Sequence, residues 1–186
     1  MIDETQIKLN NRVPRMRKNI IRKSTIKLHI QVIDKNWRRT LPSFGTYIRK
    51  IVACHYPGPR DLAIPEFSVV LTDNQHLQKL NAQYRGHDKV TNVLSFPIPY
   101  LYQNANGHTV SFLGDIFMGH DLIVAEARAQ QKTVLDHATH LLFHGLLHLL
   151  GHDHQTIKEA EIMERLEIDI LASLNIKNPY IIQSKS

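Results

Sequence analysis

The chain has 186 residues, 42% of them hydrophobic, a net charge of +6 and a single cysteine. That length suits one domain with a sizeable core. The lone Cys54 excludes an internal disulfide and a cysteine-rich metal site, and no apolar run reaches the ~18–20 residues of a membrane span.

Residues 1–24 hold seven basic side chains (Lys8, Arg12, Arg15, Arg17, Lys18, Arg22 and Lys23) against Asp3 and Glu4. Five of the six net positive charges therefore sit there, and the remaining chain is nearly neutral. The segment has no apolar period and no apolar middle of a secretory signal. It reads as a basic N-terminal arm, either a nucleic-acid contact or a solvated tail, with an organelle transit peptide a weaker third option against which Asp3 and Glu4 argue. A soluble, cytoplasmic protein is expected, with a folded domain over 25–182 and a short tail at 183–186.

From residue 26 the pattern becomes regular. Residues 26–33 alternate apolar and polar, as a half-buried strand does. Pro42 and Ser43 open a helix to about His55, with Tyr47, Ile48, Ile51 and Val52 toward the core. Residues 66–72 form a second alternating strand. Asp73 is placed to cap the next helix, whose apolar side carries Leu77, Leu80 and Tyr84 and which ends at Gly86. Val93 to Phe96 is a short strand closed by Pro97 and Pro99. Residues 98–109 read as a loop, and 110–118 as a fourth strand bulged at Gly114. Helices follow at about 120–131, 134–150 and 156–174. The last has Ile157, Ala160, Ile162, Met163, Leu166, Ile170 and Leu174 on a broad apolar face. Strands early and helices late predict an α+β fold: a small four-stranded mixed sheet packed with about five helices.

Residues 144–154, His-Gly-Leu-Leu-His-Leu-Leu-Gly-His-Asp-His, carry the densest chemistry. His144 and His148 are four apart, which puts two imidazoles on one helix face, one turn apart. Gly151 accepts the left-handed conformation that ends a helix and turns the chain back. His154 then arrives from beyond the turn. Three imidazoles can hold a zinc ion at ~2.0–2.1 Å and leave a position open, the pattern of a catalytic site at the end of a central helix. His137 and His140 extend the stripe toward the helix start. They read as bonded polar groups, with His140 able to orient a ligand or line the substrate cleft. Asp153 can accept from a ligand imidazole or cap the helix near Thr156.

The spacing also occurs in metzincin proteases, which carry a general-base Glu directly after the first His. Here that position is Gly145, and the comparison of Met163 with the Met-turn is superficial. A zinc metalloprotease is therefore a weak reading.

Three stretches together resemble the YbeY family of zinc-dependent endoribonucleases, the rRNA maturation factors. They are the His144–His154 motif, the run Tyr84-Arg85-Gly-His-Asp88-Lys-Val-Thr91-Asn92-Val93-Leu94-Ser95-Phe96-Pro97, and Gly114-Asp115-Ile116. Their order and spacing agree with the family over roughly residues 26–182. His152, where the family usually has Tyr, adds a further imidazole near the set. The arm at 1–24 is longer than the family leads one to expect.

The resemblance implies one zinc held by His144, His148 and His154, and a functional Arg85. It implies an RNA partner, the 16S rRNA precursor, matured at its 3′ end on the ribosome or small subunit, and a part in ribosome quality control. The leading reading is then an RNA-cleaving metalloenzyme, and the alternative a non-catalytic ribosome assembly factor with a structural zinc. The residues make sense of this. Zinc acidifies a bound water and polarises a phosphoryl oxygen, and a guanidinium can donate to two phosphate oxygens at once. Either that water or a ribose 2′-hydroxyl is then the nucleophile. Asn92, Ser95 and Asp115 read as structural.

Overall fold

The computed structural model describes residues 26–59 and 63–181. The expected arm at 1–24 and tail at 183–186 lie outside the described residues. Within them the strands are β1 (Lys27–Val32), β2 (Ile64–Thr72), β3 (Val93–Gln103) and β4 (Thr109–Gly119). The helices are α1 (Asn36–Thr40), α2 (Phe44–His55), α3 (Asn74–Arg85), α4 (His120–Ala129), α5 (Val134–Leu149) and α6 (Ile157–Ser173). The strands form one sheet in the order β1-β2-β4-β3. β1, β2 and β4 run parallel, and β3 is antiparallel to β4 at the edge. This is the expected α+β fold with a mixed four-stranded sheet.

Two elements differ from expectation. The short helix α1 was absent from the sequence pattern. Five residues give no apolar period; its anchor is tertiary, Trp37, which is 1% exposed and donates Nε1–H to the Thr72 carbonyl. β3 also continues well past Phe96, through Pro97 and Pro99 to Gln103, where a loop was expected. An edge strand tolerates proline because half of its backbone groups face away from the sheet. The register slips between Pro97 and Tyr100, so the prolines fall at an irregularity. The turn that follows is closed by Asn104, whose carbonyl accepts from Gly107 N–H.

The expected bulge is present. Phe67 faces Gly114 while Glu66 faces Phe112, which leaves Leu113 as the extra residue of β4. Gly114 has φ +128, and a Cβ there would lie 2.1 Å from the Phe96 carbonyl oxygen, so no other residue fits.

One face of the sheet presents Phe67, Val69, Leu71, Ile116 and Met118 to the core. α5 lies against it and buries Leu142, Phe143, Leu146 and Leu147. At about 1.5–3 kcal/mol per large apolar side chain removed from water, this helix is central to the core. Asp73 caps α3 as expected, accepting from His76 N–H at 2.8 Å. The apolar side of α3 is narrower than expected: Leu77 and Asn81 are buried, while Tyr84 is 62% exposed. α6 corrects its expected face in the same way. Ile157 and Ile162 are exposed, and the buried residues are Met163, Glu167, Ile170 and Leu171. Among the described residues no helix is long and apolar enough to cross a membrane.

Candidate metal centre

His144 and His148 occupy the last two turns of α5. The helix closes with Gly151 at φ +89, whose N–H donates to the His148 carbonyl while His152 N–H donates to the Leu147 carbonyl. This paired arrangement satisfies the last free carbonyls and reverses the chain. It delivers His154 back toward the helix. The side-chain nitrogens of His144, His148 and His154 lie within 4.8 Å of one another.

The hydrogen bonds of the two helical imidazoles fix their tautomers. His144 Nδ1 donates to Glu167 Oε1 at 2.8 Å, and His148 Nδ1 donates to the His152 carbonyl at 2.9 Å. Both Nε2 atoms are then lone-pair acceptors, and they stand 3.2 Å apart. Neither has a proton to give the other, so two lone pairs face each other. A tetrahedral zinc with Zn–N bonds of ~2.0–2.1 Å holds neighbouring ligand nitrogens about 3.3–3.4 Å apart. The donor set therefore fits such an ion. Burial, with His144 beside it, keeps the His148 imidazole below its usual range, which favours the neutral form that ligates.

The three imidazoles share a cleft of about 270 Å³ with Arg85, His87, Asn81 and the strand entry Thr91–Ser95. Arg85 comes from the end of α3 and donates Nη2–H to the Ser95 carbonyl at 3.0 Å. Ser95 Oγ in turn donates to the Gly145 carbonyl inside α5 at 3.1 Å. One residue of β3 thus ties the guanidinium to the histidine helix. Asn81 Nδ2 donates to the Lys89 carbonyl, and Asn92 Nδ2 to Glu126; together they hold the loop between Arg85 and β3. Asp115 accepts from Ser68 Oγ, away from the cleft.

At Gly145 α5 lies close against the sheet. A Cβ there would meet Ser95 Oγ at 2.9 Å and Ile116 Cγ2 at 3.0 Å. A glutamate, the base a zinc protease needs at this position, has no room.

The remaining expected residues have their own partners. His137 donates to Glu126 at 2.8 Å. His140 donates to Glu167 at 2.5 Å. The Asp153 carboxylate takes neither expected role: it accepts from His154 N–H and from Gln155. Thr156, in a reciprocal pair with Glu159, caps α6 instead. The His152 imidazole is not one of the three converging rings; its carbonyl is what holds His148. A second grouping, Asp34, His120 and Asp121, has its imidazole already engaged with Thr40 and Asp121.

Glu167 is the residue that sequence reasoning missed. It is 0% exposed and lies under the histidine stripe. Burial pushes its carboxyl up, but bonds from His140 and His144 outweigh this and hold it at about 2. It is a carboxylate, and hence an acceptor only.

The family model described as Endoribonuclease YbeY matches residues 21–175 of this chain. An Endoribonuclease YbeY of Rhizobium johnstonii is 42% identical over 83% of this chain and 93% of its own. Those of Bartonella henselae and Rhodopseudomonas palustris are 46% and 43% identical, over 63% and 80% of this chain and 73% and 78% of theirs. A Thermotoga maritima protein solved in solution has TM-score 0.46 and 20% identity over 80% of this chain and 91% of that one, a likeness too weak to bear on the fold.

Proposed function

This chain belongs to the YbeY family of endoribonucleases, and from that premise we propose that it is a zinc-dependent, single-strand-specific endoribonuclease that matures the 3′ end of 16S rRNA. Its partners are then the rRNA precursor and the small ribosomal subunit, its wider role ribosome quality control, and its compartment the cytoplasm. The observation that carries the reading is that three converging imidazoles and an arginine line one cleft.

His144, His148 and His154 would hold the ion, two of them with their tautomers set from behind. A zinc ion held there would supply Lewis acidity toward a phosphoryl oxygen and toward water. Arg85 binds the phosphodiester. One of its five N–H groups is spent on the Ser95 carbonyl, which orients the planar fork and leaves the others for phosphate oxygens. As negative charge builds at phosphorus, a guanidinium already aimed at it stabilises the transition state without reorganising. Ser95, bonded to both Arg85 and the Gly145 carbonyl, fixes the spacing between phosphate clamp and metal ligands.

The test is Arg85→Ala in the full chain, assayed for zinc content and for cleavage of single-stranded RNA. The expected result is unchanged zinc with cleavage lower by about 10²–10³-fold. Undiminished cleavage would remove Arg85 from the chemistry, whereas a wild type that binds zinc and RNA without cutting would favour the assembly-factor reading.

A further inference from the structure

Three hydrogen-bond donors converge on the buried Glu167 carboxylate. His144 Nδ1 reaches Oε1 at 2.8 Å, and His140 Nε2 and the Tyr180 hydroxyl both reach Oε2 at 2.5 Å. Tyr180 comes from the segment after α6. Asn175 ends that helix in the left-handed conformation at φ 59, with its N–H on the Ala172 carbonyl and Ile176 N–H on the Leu171 carbonyl. The chain reverses, as it does after α5. Lys132 Nζ donates to the Pro179 carbonyl at 3.0 Å and pins the returning segment beside the start of α5. The Tyr180 ring then meets the His140 ring edge-on, 5.8 Å between centroids.

We infer that Glu167 is the positioning residue of the metal centre and that the C-terminal segment, through Tyr180, locks it in place. The inference rests on the metal reading above and extends it to residues far from the ligand motif. A carboxylate only accepts, so the proton of His144 must stand on Nδ1, and Nε2 is left to the ion. Two further donors on Oε2 keep the carboxylate from rotating away, and the charge behind the imidazole raises its basicity as a ligand. A glutamine at this position has one acceptor oxygen and an NH₂ group. It cannot accept from three donors on two atoms, so at least one partner must turn, change tautomer or lose its bond.

The experiment measures zinc affinity of the full chain by competition with a chromophoric chelator, for wild type, Glu167→Gln, Tyr180→Phe and the double variant. Thermal unfolding of each zinc-free protein is recorded alongside. The expected result is a 10–100-fold weaker affinity for Glu167→Gln, and a smaller loss in the same direction for Tyr180→Phe. The tyrosine change should have no further effect in the Gln background, because it acts through the carboxylate. A residue that only supports the fold would lower the zinc-free melting temperature and leave affinity unchanged, and that result overturns the inference. If Glu167→Gln does not fold, Tyr180→Phe decides: weaker zinc with an unchanged zinc-free melting temperature supports it, and unchanged affinity overturns it. The wild-type titration separates the two readings. Wild type without zinc affinity defeats the metal reading and this inference with it, whereas tight wild-type binding matched by both variants defeats the inference alone.

Discussion

Gly145 shows how one missing side chain sets the chemistry of the site. The helix carrying His144 and His148 can lie against β3 and β4 only because nothing projects at 145. Gly145→Ala would push Ser95 Oγ and the Ile116 methyl aside and strain the Ser95 bond to the helix. Overpacking of this kind costs about 1–3 kcal/mol, which denaturant titration of the variant would show. At this scale the sequence was legible where a motif is local. His144, His148, Gly151 and His154 lie within eleven residues, so spacing alone suggests that they converge. Glu167 was not legible, because its contact to His144 spans 23 residues. A faint signal existed: it follows Met163 by four and precedes Ile170 by three, so a carboxylate interrupts the buried stripe of α6. Reading that helix as broadly apolar, with Ile157 and Ile162 inside, hid the interruption.

At the scale of the element, the turn after α5 determines whether the third imidazole arrives. Gly151 sits at φ +89 with open space around it, so an added methyl meets no atom and the only cost is conformational. Gly151→Ala is expected to cost about 1–2 kcal/mol through the left-handed backbone. It should weaken zinc affinity more than it lowers helix content, since His154 is displaced while α5 persists. Chelator competition and circular dichroism on one sample distinguish the two effects. The elements themselves were legible where periodicity ran long: α2, α3, α4, α5 and α6 each fall within two residues or so of expectation. The failures have particular causes. α1 is held by Trp37 bonding across to β2, a contact no local pattern encodes. β3 runs on because an edge strand with a bulge accommodates Pro97 and Pro99.

At the scale of the whole molecule, two buried groups, His137 and Glu167, both make the fold sensitive to acid. Burial holds His137 below its usual 6.5, only partly opposed by its bond to Glu126. Its neutral form is native, so an unfolded chain takes up a proton more readily, and stability falls as pH drops below about 6.5. The Glu167 carboxyl lies at about 2 against an ordinary 4.5. Its contribution is complete above 4.5 and is lost as pH falls from 4.5 toward 2, on the order of 3 kcal/mol in all. Thermal unfolding from pH 8 to 3 should show a melting temperature that declines below about 6.5 and more steeply below 4.5. A melting temperature flat down to pH 3 would mean that Glu167 does not carry its charge in the fold.

The most direct test of the central claim compares the full chain with His148→Ala for zinc content and for cleavage of single-stranded RNA, each shown by circular dichroism to be folded. Wild type is expected to bind zinc and cut RNA, and the folded variant to do neither. A folded, zinc-free variant that cuts as fast as wild type would contradict the claim.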